Sequence, residues 1–511
     1  MMQDKLIGHI ENDVYRITAP QGDISNNRPW AQDVPAFDGS SYQGIYSGGD
    51  GSFIVCIDRA TLAEIERYTQ KLMQCGYRKF AENKIASNRF FTYENGFNLV
   101  YCYYIAYTQS IKIIAEPFYP YITATPRQTL SRPAIIASSV CDRNFYVRLP
   151  DNTLLVIDGG WRIEDWCLYD HAELIHKMYL EMSQILGNAQ TIHVSMWLIT
   201  HAHTDHARVL ETLYQTDWSA AFQIDQILYN FPAPNHIANT DEATAEQMAQ
   251  MDRNIRTWHA KAGVSFPYER IFYNCPFRVY DTSHYEKVCR HAFMQYPATQ
   301  IKAHTGMHFD LSGVTLDVLH TPDDDMPTLF NNFNNTSLVV RMTYQGSPML
   351  WLGDMGELPS DSCVKMYGNL LKCDCMQVSH HGWGAATPEF YALARPSILF
   401  WNNSEFGFKH ADSHQGYGKT KTSTDLYHMD CVVKNYFCNR IHMSHAYLPV
   451  QIPELPPFKM SDFIIASSAV SDRTYYLRLP NSQLIVIGGG WRDEDWAQYD
   501  HDALLRGMYH E

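Results

Sequence analysis

Residues 196–214, MWLITHAHTDHARVLETLY, place an apolar run, four potential metal ligands within six positions, and an apolar pattern of helical period one after another. The run MWLI predicts a buried strand and ARVLETLY an amphipathic helix, so His201, His203, Asp205 and His206 fall on the turn between them. Side chains at i and i+2 of an extended segment project to one side, which lets His201 and His203 grip one cation. Asp205 and His206 then turn toward a neighbouring one. Imidazole and carboxylate suit zinc, manganese or iron, and two such ions about 3.5–4 Å apart can share one hydroxide.

Working outward, the chain from about residue 131 alternates strand, turn and helix: FYVRLP, TLLVIDGG, a helix near 170–184, then HVSMWLIT. That order predicts a layered α/β domain. Downstream, SPMLWLGDMGE ends an apolar run at Asp354, and CDCMQVSHHGWG ends another at His380 and His381. Either could be an ordinary turn, but in this order they supply the carboxylate and imidazole that a two-metal centre still lacks. His380 is preferred to His381 because it comes first after the strand. His304 and His308 lie in KAHTGMHFDLSG, a predicted hairpin, and His410 and His414 in FGFKHADSHQGYG. The loop bearing the latter pair follows the SHHG strand in sequence, so a His there could supply a proton to a leaving oxygen, with a role outside the chemistry as the alternative. Trp383, after SHHG, is core by default, although an aromatic beside a cleft can stack on a ring.

At 511 residues, with 45% hydrophobic and 19% charged residues, the chain is globular and long enough for two or three domains. A net charge of -15 excludes a general electrostatic attraction to nucleic acid or anionic membrane. No apolar stretch is long enough for a membrane helix and no secretory leader is evident, so a cytoplasmic protein with reduced, mostly buried thiols is expected. Residues 1–128 form a small α+β unit without recognisable chemistry, with a helix at 61–76 followed by strands at 98–107 and 111–115, and a Pro-containing linker ends it. Residues 142–179 recur at 472–509 with 22 of 38 positions identical, an internal repeat. The second copy carries Gly488 in place of Asp158 and has no H-x-H-x-D-H motif. The tail, 458–511, is therefore expected to dock on the main domain or hang loosely, and to contribute no ligand.

The ordered set IDGG, THAHTDH, HTP, NNTSLVVRM, LWLGDMG and SHHG resembles the metallo-β-lactamase fold superfamily, over roughly residues 131–450. Its second half is similar to the hydrolase domain of the competence DNA-uptake protein ComEC. The resemblance implies a four-layer αβ/βα sandwich over residues 129–457, preceded by the small α+β unit and followed by the partial repeat. It also implies two divalent metal ions, zinc first among the candidates: His201 and His203 on the first, Asp205, His206 and an SHHG imidazole on the second, and Asp354 bridging both. Asp205 and Asp354 are then the candidate catalytic carboxylates, and Asp158 of IDGG braces the His loop from behind. One departure stands out. Many members carry a ligating His in a TPGHT-like turn, but here LHTPDDDMPT places Asp323 and Asp324 where Gly and His would fall. His320 and Asp324 are both open as the third ligand of the first ion, and an oxygen there would favour a harder ion such as manganese.

The function these expectations converge on is hydrolysis by a two-metal-activated hydroxide. The substrate would be a phosphodiester, either a small molecule or a short oligonucleotide, since the acidic charge argues against a processive nuclease. A carboxylic ester, lactone or amide hydrolase of the same fold is the alternative within the enzymes. A non-catalytic protein with a half-filled metal site is the alternative outside them.

Overall fold

In the computed structural model, the described residues are 34–38, 44–47, 52–131, 133–138, 144–159, 171–214, 216–232, 297–326, 330, 333–382, 386–396, 398–401, 435–438, 475–478 and 485–488. They build three sheets. The first is a six-stranded antiparallel sheet of β1 (Gly44–Ser47), β2 (Phe53–Ile57), β3 (Arg78–Ile85), β4 (Asn88–Glu94), β5 (Asn98–Ile105) and β6 (Ser110–Pro117), in the order β1-β2-β6-β5-β4-β3. Helix α1 (Leu62–Gln74) crosses one face of it. The helix starts at a capping box in which Thr61 N and Oγ1 both donate to Glu64. Ile65, Tyr68 and Leu72, spaced at i, i+3 and i+7, pack on Val55, Val100 and Ile113 of the sheet.

The second sheet contains β7 (Ala134–Ala137), β8 (Phe145–Arg148), β9 (Leu154–Ile157), β10 (Ile192–Leu198), β11 (Phe222–Ile224), β12 (Gln226–Tyr229) and β13 (Thr299–Lys302). Its order is β13-β12-β10-β9-β8-β7, with β11 also on β10, and β9, β10, β12 and β13 run parallel. The third has β14 (His308–Leu311), β15 (Val314–His320), β16 (Val339–Tyr344), β17 (Ser347–Trp351), β18 (Cys375–Gln377), β19 (Ile398–Trp401) and β20 (Asn435–Cys438) in sequence order, parallel from β17 onward. Two strands of the tail, β21 (Tyr475–Arg478) and β22 (Ile485–Gly488), extend the second sheet, with β22 parallel to β7.

Both faces of the second sheet are buried, as parallel strands flanked by helices require. Along β9, Leu155 and Ile157 enter the core shared with the third sheet, while Leu154 and Val156 face α2 (His171–Ile185) and α3 (Thr204–Leu213). Phe145, Trp351 and Phe400 meet across the gap between the sheets, with ring centroids 4.9–5.8 Å apart. Helices α4 (Glu357–Tyr367) and α5 (Pro388–Ala394) pack against the third sheet through Met366, Tyr367, Phe390 and Tyr391. This is the αβ/βα sandwich that the motif order implied. No described helix is long and apolar enough to cross a membrane.

The first sheet shares this core rather than standing apart from it. Ile54, Leu99, Tyr101, Tyr103 and Ile114, on the face away from α1, join one continuous cluster with Phe309, Leu316 and Val318. The segment expected to act as a linker is also held: Thr125 N donates to Asp310 O at 2.8 Å, and Arg127 pairs with Asp310 at 2.9 Å.

A polar island sits inside the contact. Lys112 of β6 is 6% exposed, and its Nζ donates to the carbonyls of Asp323, Asp324 and Met326 at 2.6, 2.9 and 2.7 Å. Fully buried His304 lies tilted against the Tyr101 ring at 4.2 Å, its Nδ1 2.7 Å from Asp323 and its Nε2 3.5 Å from Glu116. Burial opposes charge on this imidazole, but the Glu116 and Asp323 carboxylates outweigh it and lift the His304 pKa to about 9. A basic group raised in the folded state contributes fully below its ordinary pKa near 6.5 and loses that contribution as pH climbs through about 9. Stability is therefore expected to fall by on the order of 3 kcal/mol across that window. His304→Gln should flatten the profile; equal urea-midpoint slopes in both proteins would remove His304 from the explanation.

Candidate metal centre

Four chain segments deliver polar groups to one edge of the sandwich, each at the C-terminal end of a parallel strand. Asp158 follows β9, Thr200 and His201 follow β10, Asp354 follows β17, and Ser379 and His380 follow β18. Open α/β sheets commonly bind ligands at such ends, where side chains leave the sheet and backbone groups are not all used by the ladder.

Asp158 anchors the arrangement. Completely buried and with φ at 58°, its carboxylate accepts from Thr200 N at 2.7 Å and from Thr200 Oγ1 at 2.9–3.0 Å, and it lies 2.7 Å from His206 Nδ1. Trp197 Nε1, at 3.1 Å, and Asn144 Nδ2 hold the Asp158 carbonyl. With Nδ1 engaged from behind, His206 turns Nε2 inward, 3.2 Å from Asp354 Oδ1. A ligating imidazole is usually held this way, with a carboxylate on the far nitrogen. Burial disfavours charge on His206, yet Asp354, Asp158 and Asp205 together raise its pKa well above the ordinary value. Negative charge thus flanks the ring on both sides, Asp158 at Nδ1 and Asp354 and Asp205 toward Nε2.

His201 Nε2 lies 3.7 Å from Asp354 Oδ2, and the ligand atoms of His201, His206 and Asp354 all fall within 4.8 Å of one another, every residue buried. His203 adjoins this group: its Nδ1 is 2.8 Å from His201 Nε2, close enough for the pair to share a proton or a cation. Burial depresses His203 to about 4, against the pull of Asp205 and Asp354, so its ring is neutral at pH 7. Asp205 is in the first turn of α3, its Oδ2 3.9 Å from His206 Nε2, and His380 Nε2 is 3.9 Å from Asp354 Oδ2. His380 has φ at 48°, a left-handed conformation uncommon outside glycine and frequent at functional sites. A Cβ on Gly353 would lie 2.6 Å from Thr200 Oγ1, so only glycine lets the Asp354 loop come this close to the His loop.

Not every expected ligand joins the cluster. His320 Nε2 is 3.1 Å from Asp325 Oδ2. Asp324 accepts from Tyr103 OH at 2.9 Å and Thr305 Oγ1 at 2.5 Å, and it also caps Thr321 N at 3.2 Å. The physical reason lies in the 3-10 turn Pro322–Asp325, whose capping box folds the Asp324 side chain back on its own N-terminus and toward the first sheet. His304 is in the polar island, and exposed His308 pairs with Asp317 at 2.8 Å. The side chain of His381, together with Trp383, His410 and His414, lies outside the described residues.

Several contributors carried no assignment in the sequence reading. Thr200 locks Asp158, Ser337 Oγ accepts from Asp354 N at 3.2 Å, and Asn334 Nδ2 is 3.3 Å from His380 Nε2. Thr200 could have been found from its place directly before the His motif. Asn334 and Ser337 belong to the quoted NNTS segment, whose contact with the His loop is visible only in three dimensions.

No protein-family model and no curated protein matches the chain. Among solved structures, it is similar to the metallo-beta-lactamase fold protein YhfI from Bacillus subtilis, with 9% identity, 51% of this chain and 78% of that chain covered, and a TM-score of 0.25. It is also similar to CmlA, a diiron beta-hydroxylase from Streptomyces venezuelae, with 10% identity, 64% and 54% coverage and a TM-score of 0.31. A diphosphatase from the PhnP family matches at 12% identity, 63% and 80% coverage and a TM-score of 0.27. With identities and scores this low, the class of protein is defined by the strand order and the cluster themselves: an αβ/βα sandwich carrying a buried His–Asp cluster at one sheet edge.

Proposed function

We propose that this protein is a metal-dependent hydrolase of the metallo-β-lactamase type, acting on a small phosphodiester or a short oligonucleotide. The observation that supports it is the convergence of His201, His206 and Asp354, with the far nitrogen of His206 held by Asp158. Two imidazoles and a carboxylate, all buried, suit a borderline divalent cation such as zinc, manganese or iron. His201, His203, Asp205, His206, Asp354 and His380 would hold two ions. When bound, these supply Lewis acidity to the scissile ester and lower the pKa of a water molecule.

The chain's own groups do the rest. Asp158 and Thr200 fix the His206 ring so that Nε2 alone is presented. Asp354 turns Oδ1 toward His206 and Oδ2 toward His201 and His380. Asp205, whose side chain keeps 12% of its surface exposed, turns Oδ2 toward His206 at 3.9 Å and would orient the attacking water with its carboxylate. The phosphodiester preference rests on the likeness of the NNTS, LGD and SHHG segments to the ComEC hydrolase domain, and the short substrate on the net charge of -15.

The test is metal analysis of the purified chain, followed by a panel of model phosphodiesters and lactones. Two ions per chain and phosphodiester turnover are expected. His201→Ala combined with His206→Ala should remove most of the bound metal, and unchanged stoichiometry would defeat the assignment. Turnover of lactones alone would move the substrate to the acyl class, and less than one ion per chain would favour a binding protein.

A further inference from the structure

The 3-10 turn Phe333–Thr336 lies directly against the cluster. It is tied to the His loop by Leu338 N donating to Thr200 O at 2.8 Å, and to the Asp354 loop by Asp354 N donating to Ser337 Oγ at 3.2 Å. Within the turn, Ser337 N returns to Asn334 O at 3.2 Å and Thr336 Oγ1 to Phe333 O at 2.7 Å. The Phe333 ring stands edge-on to His203 at 5.8 Å, and Asn334, 7% exposed, puts its amide nitrogen 3.3 Å from His380 Nε2. That same imidazole nitrogen is 3.9 Å from Asp354 Oδ2. A neutral donor on a pinned turn therefore points at the nitrogen that His380 would offer to a cation.

We infer that Asn334 is the substrate-binding hydrogen-bond donor of this site, presenting Nδ2 to an anionic oxygen of the phosphoryl group. The inference rests on the hydrolase reading above and deepens it. An amide nitrogen can only donate, so in this contact His380 Nε2 serves as the acceptor. Once that lone pair is given to a cation, the Asn334 amide loses this acceptor, and an anionic oxygen of a substrate held beside the cation would take its place. Positioned amide donors of this kind stabilise charge developing on a substrate oxygen, and because the donor is neutral it does not compete with the cations for the surrounding carboxylates.

Two variants and two readouts decide it. Asn334→Ala removes the donor; Asn334→Asp keeps the shape of the side chain and replaces the donor with a negative acceptor. With the metal-loaded protein, inorganic phosphate binding by calorimetry should weaken about tenfold to a hundredfold in both, the worth of a hydrogen bond to a charged group. Metal content should stay at the wild-type value in Asn334→Ala, and on a phosphodiester substrate kcat should fall more than KM rises. If Asn334→Ala fails to fold, the isosteric Asp variant carries the test alone. Phosphate affinity within twofold of wild type, or loss of metal in Asn334→Ala, overturns the inference while leaving an active wild type, and hence the hydrolase reading, intact. A wild-type protein that binds metal but neither binds phosphate nor cleaves any phosphodiester defeats the phosphodiesterase reading and this inference with it.

Discussion

Asp354→Asn is expected to lower phosphodiester turnover at least about a hundredfold, the scale of loss when a reacting group is displaced by ~1 Å, and to reduce bound metal. The substitution keeps the size of the side chain and removes its charge. Asp354 lies 3.2 Å from His206 and 3.7 Å from His201, so no other carboxylate among the described residues stands as close to both. Losing it uncouples the two halves of the cluster and removes one of the charges that offset bound cations. The backbone bond from residue 354 to Ser337 Oγ remains, so circular dichroism and the thermal midpoint of the metal-free protein should change little. Near wild-type hydrolysis by a folded Asp354→Asn protein would remove this residue from the centre.

Lys112→Met should cost about 3–5 kcal/mol of stability, the range for breaking one side of a buried charged network. The thioether matches the aliphatic stem but leaves the carbonyls of Asp323, Asp324 and Met326 without this donor inside the core. Asp323 O keeps Met326 N at 3.3 Å and Met326 O keeps Cys56 Sγ at 3.6 Å, so their desolvation is only partly compensated, and a carbonyl left wholly unsatisfied costs roughly 1–3 kcal/mol. The effect should appear as a lower urea midpoint with little change in its slope. A loss below about 1 kcal/mol would show that water replaces the ammonium freely. The same network explains why residues before 128 are bound into the fold: cutting the chain there would expose the apolar face bearing Leu99, Tyr101 and Ile114.

Much of the candidate centre was legible because four of its polar residues are local. His201, His203, Asp205 and His206 fall within six positions, and the turn between a buried strand and a helix fixes their relative directions whatever surrounds them. Asp158, Asp354 and His380 could each be found because an apolar run stops at a polar residue, which is how a strand end looks in sequence. The amphipathic α1 followed from the helical spacing of its apolar residues in the same way.

The acidic turn shows where such reading ends. The local pattern HTPDDD is compatible with a ligating Asp324, and the one local sign against it is Thr321, three positions earlier, with which it forms a capping box. Its side chain is claimed instead by Tyr103, 221 positions away in sequence, and by Thr305, 19 away. Lys112 reaches its three carbonyls across 211–214 positions, and Asn334 meets His380 across 46. Sequence by itself determined many of the elements and the candidate ligands that share one turn, because these depend on backbone geometry and short-range periodicity. Which polar groups find each other across the core was decided by tertiary structure alone. A buried donor or acceptor must be satisfied by whatever the packed sheets bring within about 3 Å, and that partner has no fixed distance along the chain.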